Sequence, residues 1–275
     1  MSKENIIYKP KFWKPIKSED IILNKSVFNN FGFDKHVHEE FAIGVIGKGS
    51  INGFLDGKNR IINKNTIMTI NPDTAHSNWA HGEDIYWQAA IYLNQSFFSK
   101  ISKENFNSKD IFFKSGLFED ETLSNELLSL TLSYERLELS ELDYECKLID
   151  ILNKILLKNC KVKEQKNLSK HDLAILKAKE IMNDKLSEDL TLDDISSELD
   201  ISKYYFLRLF KEQTHFSPHA YLMLKRLEKA KQLLQKGYSP IYVAHECGFN
   251  DQSHLNKRFK SFVGVTAKEY QKFFI

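Results

Sequence analysis

The chain has 275 residues, 42% of them hydrophobic and 28% charged, with only 5 Pro and 11 Gly. This composition supports two ordinary domains with buried cores and excludes collagen, low-complexity disorder and a disulfide miniprotein. The net charge of +2 hides a polarity: Lys and Arg against Asp and Glu balance to 0 over residues 1–170, −6 over 171–200 and +8 over 201–275. A concentrated positive tail is the footprint expected where phosphates are approached, although a lysine-rich solvated helix face gives the same count. No apolar run approaches the roughly 20 residues of a membrane span, and the polar stretch Met1 to Pro10 has no signal-peptide core, so a cytoplasmic protein without a membrane partner is expected. Cys146, Cys160 and Cys247 form no C-x-x-C pair and are expected to be buried, reduced thiols.

From Ile21 to Leu93, short runs of β-branched and aromatic residues are punctuated by Gly49, Gly53, Asp56-Gly57 and Asn71-Pro72. Phe41 to Ile46, Arg60 to Ile62, Thr66 to Ile70 and Ile85 to Tyr92 are predicted strands, and Asp56-Gly57 suits a primed hairpin turn. Many short antiparallel strands imply a sandwich or small barrel. His36 and His38, two apart on a strand, would share a face with Glu40, and His76 would arrive from another strand. These four residues are candidate polar anchors for an organic ligand, with Trp79, Trp87 and Tyr92 among the candidate apolar walls. A three-His, one-carboxylate metal site at His36, His38, Glu40 and His76, supporting a metal-dependent enzyme, is the alternative. So is a set of ordinary hydrogen bonds at a barrel mouth.

Leu123, Leu127, Leu130, Tyr134 and Leu137, then Leu148, Ile151, Leu152, Ile155 and Leu156, recur at helical spacing and predict two amphipathic helices. Leu123, Leu127, Leu130, Ile151 and Ile155 are candidates for a dimer seam or for packing against the strands. A polar, lysine-rich stretch follows, placing a linker at 161–170 between a domain at 1–160 and another at 171–275.

The last 105 residues read as helices and contain a repeat. Thr191 to Tyr221 aligns with Ser239 to Tyr270 at an offset of 48, then 49 after one inserted residue. In the first copy Thr191 and Asp194 start a helix, Asp200-Ile201 breaks it, and Ser202 caps a second helix to about Thr214. Phe206, Leu209 and Phe210 share one face of that second helix, leaving Lys203, Tyr204, Leu207, Arg208 and Lys211 outside. In the second copy Leu255, Phe259 and Phe262 point inward and Gln252, Ser253, Asn256, Lys257 and Lys260 outward. Arg, Gln and Asn suit base edges, and lysines suit phosphates. Ser217-Pro218 and Gly237 bracket a connecting helix, roughly 28 Å long. That length could hold two reading helices in successive major grooves, roughly 34 Å apart.

At these residues the sequence resembles a known family. SKYYFLRLFK at 202–211, SPHAY at 217–221, AHECGF at 244–249 and FNDQSHLNKRFKSFVGVTAKEY at 249–270 look like the double helix-turn-helix of the AraC/XylS transcription regulators. HVHEEFAIGVIGKG and TIMTINPDTAHSNWA look like the cupin-like effector-binding domain that precedes it in many relatives. The resemblance implies an α+β multidomain protein, with a cupin-like β-barrel and dimerisation-type helices followed by an all-α DNA-binding domain. It also implies a homodimeric activator, not an enzyme and without a cofactor, whose partners are double-stranded DNA, a small-molecule effector and RNA polymerase. His215 and Ala267 depart from the family's usual glycine and proline. His215 is therefore expected to take the left-handed conformation despite its Cβ.

Overall fold

The computed structural model describes residues 10–15, 20–28, 32–82, 85–108, 110–136, 138–162 and 169–275, the side chains of Glu104 and Glu135 excepted. The chain is α+β and divides into two compact units, Met1–Lys163 and Glu164–Ile275. Residues 163–168 of the expected linker lie outside the described residues, as does Leu137.

The first unit runs β1 (Lys11–Trp13), β2 (Ile21–Phe28), β3 (Gly32–His36), β4 (Phe41–Lys48), β5 (Ile51–Leu55), β6 (Lys58–Ile62), β7 (Thr66–Ile70), β8 (His76–Ala80) and β9 (Tyr86–Leu93). Then come α1 (Gln95–Phe106), β10 (Ile111–Phe113), β11 (Leu117–Glu119), α2 (Glu121–Arg136), α3 (Glu141–Asn159) and β12 (Cys160–Val162). The expected hairpin joins β5 to β6: Asp56 and Gly57 both have positive φ, 52° and 75°, the primed geometry that follows the twist of the strands.

Two larger antiparallel sheets form, in strand order β1-β2-β9-β4-β7-β11 and β3-β8-β5-β6, with a small β10-β12 pair beside them. Among the described residues their ladders do not close into one barrel. Strand parity gives the six-stranded sheet two faces. Ile21, Leu23, Ile43, Val45, Ala89 and Ile91 form one core with α1, α2 and α3, while Phe28, Ile46, Met68 and Tyr86 meet Ile51 and Ile62 of the four-stranded sheet. Across this second interior Asn78 donates to Gln88 Oε1 at 2.9 Å. The Asn159 amide donates to Thr69 Oγ1 and to the Ser115 carbonyl, each at 2.9 Å, pinning the end of α3 to the first face.

The apolar candidates for a dimer seam, Leu123, Leu127, Leu130, Ile151 and Ile155, are all buried in this intramolecular core. The expectation that all three cysteines are buried also fails at Cys146, which is exposed on α3. Cys160 and Cys247 are buried, and burial pushes their thiols up to about 12.

The second unit is helical: α4 (Lys170–Asp184), α5 (Leu192–Glu198), α6 (Lys203–Thr214), α7 (Pro218–Gln235), α8 (Pro240–Glu246), α9 (Gln252–Val263) and α10 (Ala267–Gln271). Ser217 caps α7 with Pro218 at its first position, and Gly237 follows its end with φ 89°. Its 18 residues make a rod roughly 27 Å long. Among the described residues no helix is long and apolar enough to cross a membrane.

Candidate functional site

The first helix pair of the second unit is built from local signals. The Thr191 hydroxyl accepts the Asp194 N–H at 3.2 Å and the Asp194 carboxylate accepts the Thr191 N–H at 2.8 Å, a closed capping box. The Thr191 hydroxyl, donating to the Asp194 carboxylate at 2.6 Å, and then the Thr191 N–H hold that carboxyl below its ordinary range. Asp200 turns the chain with φ 53°, and Ser202 caps α6. Phe206, Leu209 and Phe210 are buried, which turns Tyr204, 78% exposed, together with Arg208 and Lys211 to solvent. Arg208 has 68% of its side chain exposed, its guanidinium over the Tyr205 ring at 5.4 Å. Lys203 and Leu207 flank this face half-buried, and the Lys203 ammonium is tied to Asp193 of α5 at 3.0 Å.

The second pair repeats the design. Asp251 caps α9, and Leu255, Phe259 and Val263 are its buried residues. Phe262, expected inside, is half-buried, because Val263, four positions after Phe259, takes the inward place and Phe262 lies beside Lys231. Ser253, Lys257 and Lys260 are exposed, while Gln252 and Asn256 are half-buried on the flank. Asn256 Oδ1 accepts the Ala267 N–H at 3.2 Å at the start of α10. A bidentate adenine contact needs both ends of an amide, so this bond competes with the base-reading role expected of Asn256.

The repeat is visible in the backbone itself. Asp200 and Gly248, related by the offset of 48, both have positive φ, 53° and 72°, and their turns close with the same pair of bonds: each donates its N–H to the carbonyl three residues back, and the next residue, Ile201 or Phe249, donates to the carbonyl five residues back. His215 and Gly264, related by 49, end α6 and α9 with φ 64° and 90°. The inserted residue falls in the second turn, between Gly248 and the Asp251 cap.

Sequence reasoning missed the residue that ties the connecting helix both to the turn of the second copy and to the segment just ahead of the first. Arg226, buried in α7, donates from Nε to the Leu186 carbonyl at 2.8 Å, from Nη1 to Gly248 at 2.7 Å and from Nη2 to Glu188 at 2.8 Å. Burial lowers its pKa from the ordinary value, with Asp189 opposing. The available signal was an Arg on the otherwise apolar face of the connecting helix.

In the first unit the structure brings His36, His38, His76 and Tyr92 together. Ring centroids are 4.1 Å apart for His36 and His76, 4.8 Å for His38 and His76, 6.2 Å for His36 and His38, and 5.6 Å for His38 and Tyr92. His36 ends β3 and His38 lies just beyond it, outside the strand expected to carry both. Each Nδ1 lies 2.7 to 2.8 Å from a backbone carbonyl, of Asp34, Glu40 and Thr74 respectively, and since a carbonyl only accepts, the hydrogen sits on Nδ1 in each ring. Burial lowers the His76 pKa to about 4. Glu40 Oε2 lies 4.0 Å from His38 Nδ1. Among the described residues no group of three or more His, Cys, Asp or Glu side chains is placed to hold a metal ion.

Parity separates the two tryptophans from this cluster. Trp87 packs on the helix-covered face of β9, with Lys25 over its ring, whereas Tyr92 stands on the other face. Trp79 points to the outer face of β8, opposite His76, and lines an outer groove with Asn52 and Phe54.

The family models agree with this two-unit architecture. The model described as an AraC-like ligand binding domain matches residues 22–145, and a helix-turn-helix domain matches residues 195–272. The HTH-type transcriptional regulator YbfI of Bacillus subtilis is 30% identical over 227 residues, 81% of each chain. The chain belongs to the AraC family of transcriptional regulators. Its helix-turn-helix half is also 30% identical over 91 residues to the multiple antibiotic resistance protein MarA of Salmonella typhimurium, covering 33% of this chain and 72% of that one. Over nearly its whole length the regulator shares the fold of ToxT from Vibrio cholerae, in a structure with an unsaturated fatty acid bound: TM-score 0.59, 15% identity, 94% of this chain and 96% of that one. It therefore combines a DNA-binding module with a domain of the ligand-binding type.

Proposed function

We propose that this AraC-family regulator is a cytoplasmic activator that reads DNA with the outer faces of α6 and α9 and is controlled by an organic effector held between the sheets of its first unit. The observation that carries the reading is the pair of matched helices, each burying its aromatic face and turning Arg208 or Lys257 outward. Tyr204, Arg208, Lys211, Ser253, Lys257 and Lys260 are the central contacts, with Lys203, Leu207, Gln252 and Asn256 on the flanks. Leu207 offers only apolar contact, such as to a thymine methyl.

The effector site is proposed at His36, His38, Glu40, His76 and Tyr92, where polar side chains converge beside the interior core. The fatty acid named for ToxT supports an organic occupant. For control, the effector must bind one arrangement of the protein more tightly than the other, with a coupling of roughly 1 to 3 kcal/mol. Homodimerisation is proposed along α3, where Leu142, Cys146 and Leu157 form an exposed stripe. Contact with RNA polymerase follows from the activator reading.

Footprinting of the upstream DNA, with and without small metabolites that raise the protein's melting temperature, tests the whole proposal. Protection of two successive major grooves on one face, altered by the metabolite, is the expected result. Protection confined to a single groove would reject the two-helix reading.

A further inference from the structure

Arg208 stands out in solvent, but a neighbouring ring holds it. Its guanidinium lies over Tyr205, three residues earlier on α6, with Cζ 5.4 Å from the ring centre, inside the range of a cation–π contact. Residues three apart on a helix are neighbours, so helix formation itself brings the ring to the charge. Tyr205 is in turn fixed at both ends. Its backbone N–H donates to the Ser202 hydroxyl at 3.3 Å, and its own hydroxyl lies 2.8 Å from His171 Nε2 in the first turn of α4, with the two rings edge to face. The backbone of that turn is closed by the capping box of Ser169 and Asp172, and Ile175, Ala178, Ile181 and Met182 bury the inner side of α4.

Among the described residues the second reading helix has no such arrangement. Lys257 takes the place of Arg208 and His254 that of Tyr205, at the offset of 49, but the His254 ring meets Phe249 edge-on at 5.5 Å. The chemical effect of the Tyr205 contact follows from what it leaves open. A bidentate bond to guanine O6 and N7 needs two N–H groups of the guanidinium fork at once, and a ring face, unlike a carboxylate, does not take both. The competing carboxylate, Glu212 one turn further on, stays 3.9 Å from Nε, beyond hydrogen-bonding distance. A long side chain already held in place loses less rotamer freedom on contact, which raises affinity without adding a bond.

We infer that Tyr205 and His171 are positioning residues for base reading, Tyr205 holding the Arg208 guanidinium over its ring and His171 anchoring Tyr205 from α4. The inference rests on the proposal above that Arg208 contacts bases.

Fluorescence anisotropy of the full chain on the footprinted duplex and on a scrambled duplex of the same composition tests both levels. Arg208→Ala examines the underlying reading; Tyr205→Leu, Tyr205→Phe and His171→Ala examine the positioning. Tyr205→Leu should cost about three- to tenfold in affinity for the footprinted duplex and less than about twofold for the scrambled one. Tyr205→Phe keeps the ring and should recover part of that loss. It should match His171→Ala, and combining the two should add nothing, because both remove the same bond. These two variants should melt near the wild-type temperature, since the bond they lose is exposed. Once Arg208 is alanine, Tyr205→Leu should have no further effect. A loss that persists in that background would make Tyr205 a DNA contact in its own right and overturn the positioning role. Full specificity in Tyr205→Leu, or equal losses on both duplexes, would overturn it as well, while a selective loss in Arg208→Ala would leave the base-reading proposal standing. If Arg208→Ala leaves the ratio of the two affinities unchanged, that proposal falls, and this inference with it.

Discussion

Arg226 and Gly248, on the connecting helix and in the turn of the second helix pair, are joined by a 2.7 Å bond from guanidinium to carbonyl. With its bonds to Leu186 and Glu188, the same side chain satisfies three carbonyls. Arg226→Gln should therefore destabilise the second unit by about 2 to 4 kcal/mol, measured by urea unfolding of the full chain. Gly248→Ala acts on the same junction. With φ at 72° and an added Cβ 2.9 Å from Arg226 Cζ and Ser187 Cα, it should cost about 1 to 3 kcal/mol. At the equivalent turn Asp200→Gly should change stability by less than about 1 kcal/mol, since Asp already occupies the left-handed region there.

Arg208→Ala should weaken specific DNA binding by about 1 to 3 kcal/mol while sparing most nonspecific affinity, and Lys257→Ala should mainly reduce the salt dependence. Fluorescence anisotropy on cognate and scrambled duplexes at several salt concentrations distinguishes them. An equal loss on every duplex would make Arg208 a phosphate contact.

At Asn256 stability and recognition separate. Asn256→Asp keeps an acceptor for the Ala267 N–H but loses the amide donor, so it should retain stability and lose DNA affinity. Asn256→Ala should lose both, with about 1 kcal/mol of stability. Thermal melts alongside anisotropy read the two effects.

The buried His76 imidazole sets a pH dependence. In the unfolded chain it takes up a proton near its ordinary value of 6.5, but in the folded protein only near pH 4. Between these values the unfolded state binds more protons, so stability is full above the window and falls as the pH drops through it. The slope should be at most about 1.4 kcal/mol per pH unit, and His76→Gln should flatten it in urea titrations from neutral pH downward.

A dimer seam on α3 predicts that Leu142→Asp and Leu157→Asp shift the protein to monomer in sedimentation while leaving its melting nearly unchanged. Leu127→Ala, in the intramolecular core, should instead cost about 2 to 5 kcal/mol of folding stability. Dimers that persist in both Asp variants would move the interface elsewhere.

What the sequence made legible was local. Thr191, Ser202 and Ser217 act as helix caps through bonds spanning three residues, Asp56-Gly57 declares its turn by residue type, and the left-handed His215 followed from its place in the family resemblance. Relations that depend on register did not read through. One step along a strand moves Trp79 or Trp87 to the opposite face, and nothing local marks where β3 ends relative to His38. Periodicity showed that Leu127 and Ile151 are buried but not against which partner, while the exposed stripe of Leu142 and Leu157 was obscured by its charged neighbours. The Arg226 clamp needs carbonyls 22, 38 and 40 residues away, beyond any local pattern.

The one continuous helix between the copies, locked at Arg226, carries a constraint for the promoter. B-DNA turns by roughly 34° per base pair, so a single base inserted between the two recognition patches would swing one of them around the duplex, out of reach of a protein that cannot follow. Operators for this regulator should thus vary in their letters while preserving the spacer between half-sites to the base pair.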